Sequence, residues 1–230
     1  MSTPSNEPAV SIPSGRVWLE GLLEVPPRAT GIVVFSHGSG SGRHSPRNQY
    51  VAQHLYRAGL ATLLLDLLTV PEDRDYETRF DIDLLTGRLG DAVRFVRSHA
   101  TTRSLPVGLF GASTGAASAL RVAANRAEDV RAVVSRGGRP DLTGEDLLPS
   151  VQAATLLIVG GEDDGVIELN EAAYRLLRCE KEMAIVPGAT HLFEEPGTLD
   201  EVARLATGWF VRHLPGDEAA PARASDTRHA

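Results

Sequence analysis

Residues 105–115 read LPVGLFGASTG, an apolar run that ends in a Gly-x-Ser-x-Gly motif. An alanine-rich segment follows at once, so this stretch predicts a strand, a sharp turn and a helix, with Ser113 at the tip of the turn. Such a turn strains the serine backbone, and Gly111 and Gly115 supply neighbours without Cβ atoms that let the chain pack closely. The following helix points its first N–H groups at whatever the serine attacks. The stretch therefore predicts a nucleophilic serine.

Composition limits what kind of protein this is. The chain has 230 residues, a formal net charge of -7 and no basic patch, which argues against a nucleic-acid partner or an anionic membrane. Its single cysteine, Cys179, cannot form an internal disulfide and lies in a helical pattern, which indicates a structural role in a reducing cytoplasm. No apolar segment approaches the length of a membrane span, and no signal peptide is evident at the N-terminus. We expect a cytoplasmic monomer or homodimer.

Buried strands alternate with helical patterns along the chain. An antiparallel hairpin is predicted over residues 10–25, and a charged surface loop over 71–79. Further strands are predicted over 31–36, 60–68, 130–135, 154–159 and 183–186, and helices over 46–58, 80–98, 114–126, 168–177 and 199–213. This order predicts an α/β fold with a mostly parallel central sheet and helices on both faces, in one domain over residues 10–214. Residues 1–9 and 215–230 are predicted to be disordered. The segment 136–153 is too short for a lid domain, so we expect an open, shallow site.

A serine hydroxyl needs a positioned base, and His191 is the best candidate. His191 follows the last predicted strand, downstream of Ser113, in the order that hydrolases of this type require. His37 and His44 lie in a glycine-rich loop, residues 37–42 and their neighbours, after the 31–36 strand. Four more histidines, at positions 54, 99, 213 and 229, lie in helix or tail contexts and are expected at the surface.

The acid that orients the base should lie between Ser113 and His191 in the chain. Asp163 and Asp164 both follow the 154–159 strand, and Gly-x-Asp-x-x-Val puts Asp163 at the first bend of that loop. We assign Asp163, with Asp164 as the alternative and Asp141 as a less favoured third candidate.

An oxyanion hole needs two backbone N–H groups. We predict one from Thr114, the residue after the nucleophile, and the other from Ser39 in the glycine-rich loop, with Gly40 as a near alternative. The same loop carries no Gly-Lys-Ser/Thr and no Gly-x-Gly-x-x-Gly that runs directly into a helix, so phosphate binding of the usual kinds is not predicted.

Several arginines fall in loops on the predicted active face. Arg136, at a strand end, could bind a substrate carboxylate through a bidentate pair, and Arg43 and Arg47 are further candidates for substrate binding. The competing interpretation, which we favour slightly, is that Arg136 pairs with Asp141 or Asp163 and only braces the loops.

Five segments carry a resemblance to a known family: SHGSGSGRHSPRN at 36–48, DLLT at 66–69, GASTG at 111–115, SRGGRPD at 135–141 and GATHLFEEPG at 188–197. On these, the chain resembles the α/β-hydrolase superfamily over residues 10–214, and within it the dienelactone hydrolase-like family. It is similar in particular to small α/β hydrolases that are sometimes fused to phosphoribosyltransferase domains. The resemblance departs from dienelactone hydrolase itself at the nucleophile, which there is cysteine and here is Ser113, so lactone specificity does not follow from it.

Together these features predict a serine hydrolase for esters or lactones of small acids, without a metal or organic cofactor. The alternatives are an acyltransferase that uses the same acyl-enzyme and a non-catalytic binding protein of the same fold. A phosphoribosyltransferase is a remote fourth option, because residues 156–165 resemble a diphosphate-ribose site only faintly.

Overall fold

A computed structural model describes residues 9–214 of the chain. Its centre is an eight-stranded sheet in the order β1-β2-β4-β3-β5-β6-β7-β8. The strands are β1 (Ala9–Ser14), β2 (Val17–Glu24), β3 (Ile32–Ser36), β4 (Ala61–Leu65), β5 (Val107–Ala112), β6 (Val130–Arg136), β7 (Ala154–Gly160) and β8 (Lys181–Val186). Strands β3 to β8 are parallel, while β1 pairs antiparallel with β2, and β2 with β4. The predicted α/β fold class and the predicted hairpin are confirmed.

Helices cover both faces of the sheet. They are α1 (Pro46–Arg57), α2 (Val70–Asp73), α3 (Ile82–Ser98), α4 (Thr114–Asn125), α5 (Asp164–Leu176) and α6 (Thr198–His213). The apolar stripes of α3, α4 and α5 pack on one face of the sheet, and those of α1 and α6 pack on the other. Every residue of β3, β4, β5 and β7 is buried, as expected for parallel strands covered by helices on both sides.

The parallel arrangement brings the carboxyl ends of β3, β5, β6, β7 and β8 to one edge of the sheet. In open α/β sheets ligands bind beyond this edge. The residues singled out from the sequence follow these strand ends, so the fold gathers them. Between β6 and α5 on that edge the chain forms only two short 3₁₀ turns, Pro140–Thr143 and Leu148–Ser150, with β7 after them. No lid domain is present within residues 9–214, which confirms that prediction.

Three local expectations were wrong. Residues 71–79 are not simply a loop, because α2 and a 3₁₀ turn, Thr78–Phe80, form there. The helix predicted over 168–177 is α5, which begins four residues earlier, at Asp164; Asp163 is its N-cap residue. Cys179 lies in the connection between α5 and β8, outside any helix; its half-buried Sγ contacts the Thr155 hydroxyl at 3.7 Å. Burial raises the pKa of the Cys179 thiol, consistent with a structural residue.

The predicted disordered ends lie almost wholly outside the described residues. Ala9, assigned to the N-terminal lead-in from the sequence, is the first residue of β1. Residues 1–8, the tail 215–230 and His229 are not described. Among residues 9–214, no helix combines the length and the apolar character that crossing a membrane requires.

Candidate active site

Ser113 occupies a strained turn between β5 and α4. Its backbone has φ 51° and ψ -124°, a left-handed φ that a non-glycine residue adopts only when the surrounding structure forces it. The turn is tight because both flanking glycines touch backbone: a Cβ on Gly115 would stand 2.2 Å from the Ser36 carbonyl oxygen, and one on Gly111 would stand 2.5 Å from the Ala116 Cα. The expected need for glycine at both positions is confirmed, and the turn lifts the Ser113 side chain above the sheet edge.

The structure brings Ser113, His191 and Asp163 into one hydrogen-bonded line. His191 Nδ1 lies 2.7 Å from Asp163 Oδ2, and His191 Nε2 lies 3.3 Å from Ser113 Oγ. Because the carboxylate only accepts, Nδ1 carries the proton and Nε2 is left to accept from the serine hydroxyl. The Asp163 side chain is 17% exposed and that of His191 37% exposed, so the pair is shielded but open to a substrate from above.

The competing acids are placed elsewhere. Asp164 is exposed as the first residue of α5 and makes no contact with His191. Asp141 accepts two hydrogen bonds from the Arg139 guanidinium, at 2.9 and 2.7 Å, and these stabilise the turn after β6. Of the other candidate histidines, His44 is exposed in its loop.

Hydrogen bonds within the loop and one buried side chain stabilise residues 187–197, the loop that carries His191. Glu195 accepts hydrogen bonds from the Thr190 backbone N–H at 3.2 Å and from its hydroxyl at 2.5 Å. The bond from the Thr190 hydroxyl is the main reason that the pKa of Glu195 is lowered. Phe193 is fully buried with φ 56°, a second strained non-glycine residue, and anchors the loop in the core. These contacts fix the position of His191.

The glycine-rich loop after β3 lies directly against the serine turn. A Cβ on Gly38 would stand 3.1 Å from the Ser113 Cβ, a tight contact that would push the two segments slightly apart. The Ser39 backbone N–H points at Thr114 and donates to its Oγ1 at 3.1 Å. The Thr114 backbone N–H, at the first position of α4, has no acceptor among residues 9–214. The two amides predicted for an oxyanion hole therefore lie on adjoining segments beside Ser113.

His37 stabilises this loop through two hydrogen bonds, a role that we did not predict from the sequence. The imidazole is 5% exposed; its Nε2 accepts from the Leu67 backbone N–H at 2.9 Å, and its Nδ1 lies 2.9 Å from the Gly38 carbonyl oxygen. Since Nε2 accepts, Nδ1 holds the proton and donates to Gly38. Burial lowers the pKa of His37, which keeps the ring neutral and suited to both bonds. The available signal was its position directly between a buried strand and a glycine.

Two of the three candidate arginines have acidic partners. Arg43 contacts Asp66 and Glu20, so its guanidinium ties the glycine-rich loop to β2 and to the end of β4. Arg47 donates to Glu194 at 2.7 Å and lines a cleft of about 610 Å³ beside the glycine-rich loop. The Nε of Arg47 is buried without a hydrogen-bond partner.

Arg136 differs from both, because this largely buried residue has no acidic partner among residues 9–214. The residue is 7% exposed, and no acceptor within residues 9–214 hydrogen-bonds or ion-pairs with its guanidinium. The guanidinium lies over the Phe193 ring, 5.8 Å from the centroid. Burial, and to a lesser degree the like charge of Arg47, lowers the pKa of Arg136 to about 10. The expected pairing with Asp141 or Asp163 is wrong, since those carboxylates are engaged by Arg139 and His191.

Within residues 9–214, no group of three or more histidine, cysteine, aspartate or glutamate side chains is arranged to hold a metal ion. The chemistry available at the site is that of the serine, the imidazole, the carboxylate and the Thr114 amide, while the Ser39 amide is engaged by the Thr114 hydroxyl. Such a set serves nucleophilic attack on a carbonyl carbon.

Sequence comparison relates the chain to hydrolases and to a longer protein. The profile of the family Hydrolase_4, described as serine aminopeptidase, S33, matches residues 27–138. A Mycobacterium tuberculosis H37Rv protein, whose name places it provisionally among the phosphoribosyl transferases, is 56% identical over 213 residues. That match covers 93% of this chain but only 48% of the relative, so the chain spans about half the length of the curated relatives it matches.

Solved structures agree on the fold. The crystal structure of dienelactone hydrolase from Anabaena variabilis is 56% identical, covers 90% of this chain and 97% of its own, and superposes with a TM-score of 0.87. Est1E from Butyrivibrio proteoclasticus, 15% identical, covers 89% of this chain and 98% of its own with a TM-score of 0.77. At that identity the second likeness concerns the fold alone.

Proposed function

Because this chain belongs to the α/β-hydrolase superfamily, and within it to the dienelactone hydrolase-like family, we propose that it is a serine hydrolase for carboxylic esters or lactones with small acyl groups. The observation that carries this proposal is the line of hydrogen bonds from Asp163 through His191 to Ser113, at 2.7 and 3.3 Å. The strained φ of Ser113 supports it, because such strain is kept where it presents a reactive group.

In the proposed reaction Ser113 Oγ attacks the carbonyl carbon while its proton passes to His191 Nε2. The carbonyl oxygen becomes an anion, and the imidazolium that forms is stabilised by the Asp163 carboxylate, which stays ionised. Collapse of the intermediate breaks the bond to the leaving alkoxide, which takes the proton from His191. Water, activated by the same imidazole, then attacks the acyl-enzyme and restores Ser113. A lactone follows the same steps, except that the leaving alkoxide stays attached to the acyl group.

The shape of the site supports small substrates. No lid domain covers the sheet edge within residues 9–214, and the segment between β6 and β7 forms only two short 3₁₀ turns. Long acyl chains are usually sheltered from water by such an insertion. The lining of the adjoining cleft combines polar residues, among them Ser39 and Asp66, with apolar ones, among them Leu68 and Val70.

We further propose that the substrate carries a carboxylate that Arg136 binds, with Arg47 beside it. The support is a buried guanidinium without an acidic partner, next to a second arginine whose Nε is buried and unpaired. Arg136 is the strand neighbour of Ala112, and its carbonyl accepts from the Ser113 N–H at 3.2 Å, so the backbone of this residue adjoins that of Ser113. Arg43, held by two carboxylates, is better placed to brace the loop.

The primary test replaces the nucleophile. Ser113→Ala should abolish hydrolysis of short p-nitrophenyl esters and labelling by a fluorophosphonate probe, while Ser11→Ala, an exposed serine on β1, should change neither. Retained turnover in Ser113→Ala would refute the assignment, and an unlabelled wild-type protein would point to a non-catalytic binding protein.

Product analysis with added alcohols or thiols then separates hydrolysis from acyl transfer. Comparison of p-nitrophenyl butyrate with mono-p-nitrophenyl succinate in Arg136→Met tests the carboxylate, since only the anionic ester should lose activity.

A further inference from the structure

The side-chain hydroxyl of Thr114 stands where an oxyanion would be expected. The Ser39 backbone N–H, predicted from the sequence to hold the oxyanion, instead donates to Thr114 Oγ1 at 3.1 Å. Thr114 is 3% exposed, so water does not compete for this bond. The acceptor position in front of the Ser39 amide is thus occupied by a group from the residue that follows the nucleophile.

The hydroxyl proton of Thr114 has no hydrogen-bond acceptor among residues 9–214. A hydroxyl has one proton to donate, and by accepting from Ser39 the Thr114 oxygen leaves that proton free. No acceptor for it lies within hydrogen-bond distance among residues 9–214. The neighbouring buried hydroxyls differ: Ser118 Oγ donates to the Gly115 carbonyl at 3.0 Å and lies 2.7 Å from Ser36 Oγ, so that pair is internally satisfied. A buried donor without an acceptor next to Ser113 calls for a ligand.

The hydroxyl is also held in place. Threonine is branched at Cβ and has few side-chain rotamers, and the Ser39 amide selects among them. The segments that carry the two residues are locked by the close approach of Gly115 to the Ser36 carbonyl and by the two hydrogen bonds of His37. A donor that is fixed before the reaction stabilises developing charge without the cost of reorganisation.

We propose that the Thr114 hydroxyl is a catalytic hydrogen-bond donor to the oxyanion. It accepts from the Ser39 N–H and donates its own proton toward the carbonyl oxygen of the substrate, while the Thr114 backbone N–H supplies the second bond. The bond from Ser39 polarises the hydroxyl and makes it a better donor. No proton is transferred: the carbonyl electron pair moves to oxygen as Ser113 Oγ bonds to carbon, and the hydroxyl only stabilises that charge. This inference rests on the proposed serine hydrolase function.

The test compares Thr114→Val, which keeps the shape and removes the hydroxyl, with Thr114→Ser, which keeps the hydroxyl. With a p-nitrophenyl ester we expect kcat of the valine variant to fall by about 10- to 100-fold, with KM changed less than about threefold, because the bond forms fully only in the transition state. The serine variant should stay within about threefold of wild type. An alkylboronic acid, which mimics the tetrahedral intermediate, should bind the valine variant more weakly by a similar factor.

Several outcomes would overturn the proposal. A valine variant with wild-type or higher kcat would mean that the hydroxyl only fills the site until substrate arrives. A serine variant as slow as the valine variant would assign Thr114 a packing role. If Thr114→Val melts well below wild type, Thr114→Ala, which adds no bulk, must show the same loss of kcat. Failure of the broader function is separable: it would appear as an active Ser113→Ala variant, whereas failure of this inference leaves Ser113 labelled and the valine variant fast.

Discussion

Replacing Arg136 with methionine should make the protein more stable. Burying a charge costs free energy unless a partner compensates for it, and no acidic side chain within residues 9–214 pairs with Arg136. Methionine is unbranched, of similar length and apolar, so Arg136→Met removes the charge while largely filling the same space. Most core substitutions destabilise, so the expected sign alone makes this a strict test of the structure.

The magnitude follows from the pKa of Arg136. Burial lowers that pKa to about 10, between about two and three pH units below that of a free arginine, and at about 1.4 kcal/mol per pH unit the charged form costs about 3 kcal/mol in the folded state. Arg136→Met also removes the contact with the Phe193 ring, which reduces the expected stabilisation by about 1–2 kcal/mol. A net gain of about 1–2 kcal/mol corresponds to a rise in Tm of about 2–8 °C for a chain of this size.

The pH dependence of the gain follows from the same pKa. Below pH 10 the arginine is charged in both folded and unfolded chains, so the whole cost is present at neutral pH. Above pH 10 the folded protein loses the proton first, wild-type stability rises relative to the variant, and the gain from Arg136→Met should shrink.

Thermal and urea unfolding at pH 7.5 (roughly neutral, well below the pKa of Arg136) measure the effect, with Arg139→Met as the matched control. Arg139 pairs with Asp141 and its side chain is 39% exposed, so its loss should cost at most about 1 kcal/mol. If Arg136→Met lowers Tm as much as Arg139→Met or more, the guanidinium is a stabilising group, and its description as an uncompensated charge is refuted.

Two further predictions concern the triad and the glycine-rich loop. Asp163→Asn should reduce kcat by about 10³- to 10⁴-fold with little change in Tm, whereas Asp164→Asn, on an exposed neighbour, should leave kcat unchanged; equal losses in steady-state assays would contradict the assignment. Because folding holds the pKa of His37 below its ordinary value of 6.5, stability should fall as the pH drops below about 6.5, when unfolded chains take up a proton that the folded state excludes. His37→Gln should flatten the fall in Tm between about pH 7 and 5, and an unchanged slope would contradict this account.

The serine turn could be predicted from the sequence because its requirements are local. A buried strand, two glycines and a run of small residues specify the turn at Ser113, whatever the rest of the chain does. The hydrogen-bond partners of Thr114 and His37 could not be predicted this way. Ser39 is 75 positions from Thr114, and Leu67 is 30 positions from His37, so these bonds depend on the strand order of the finished sheet.

The short helix α2 could have been predicted but was missed. Thr69 and Glu72 form a capping box around Pro71, with the Thr69 N–H donating to the Glu72 side chain at 2.7 Å, and this Thr-x-x-Glu spacing is visible in the sequence. Because residues 71–79 are rich in charged side chains, the segment was predicted as a loop and the capping box was missed. For Arg136 the sequence suggested a loop cation with an acidic partner, whereas in the fold the residue is buried at the end of β6 with its guanidinium over Phe193.

Three unfavourable features of this fold lie together at the candidate site, although Arg28, in the turn between β2 and β3, also has a left-handed φ of 57°. Ser113 and Phe193 have strained backbones, Arg136 is a largely buried charge without an acidic partner among residues 9–214, and the three are linked: the Ser113 N–H donates to the Arg136 carbonyl, and Arg136 lies over Phe193. Strain and buried charge persist only where surrounding structure imposes them, and here that structure is the fully buried strands β5 and β7, with β6 between them and helices packed on the sheet. Selection for stability alone would have removed these features, since a single substitution at Arg136 suffices for one of them. Their retention at the carboxyl edge of the sheet, around the proposed nucleophile Ser113, is expected of a site kept for its chemistry.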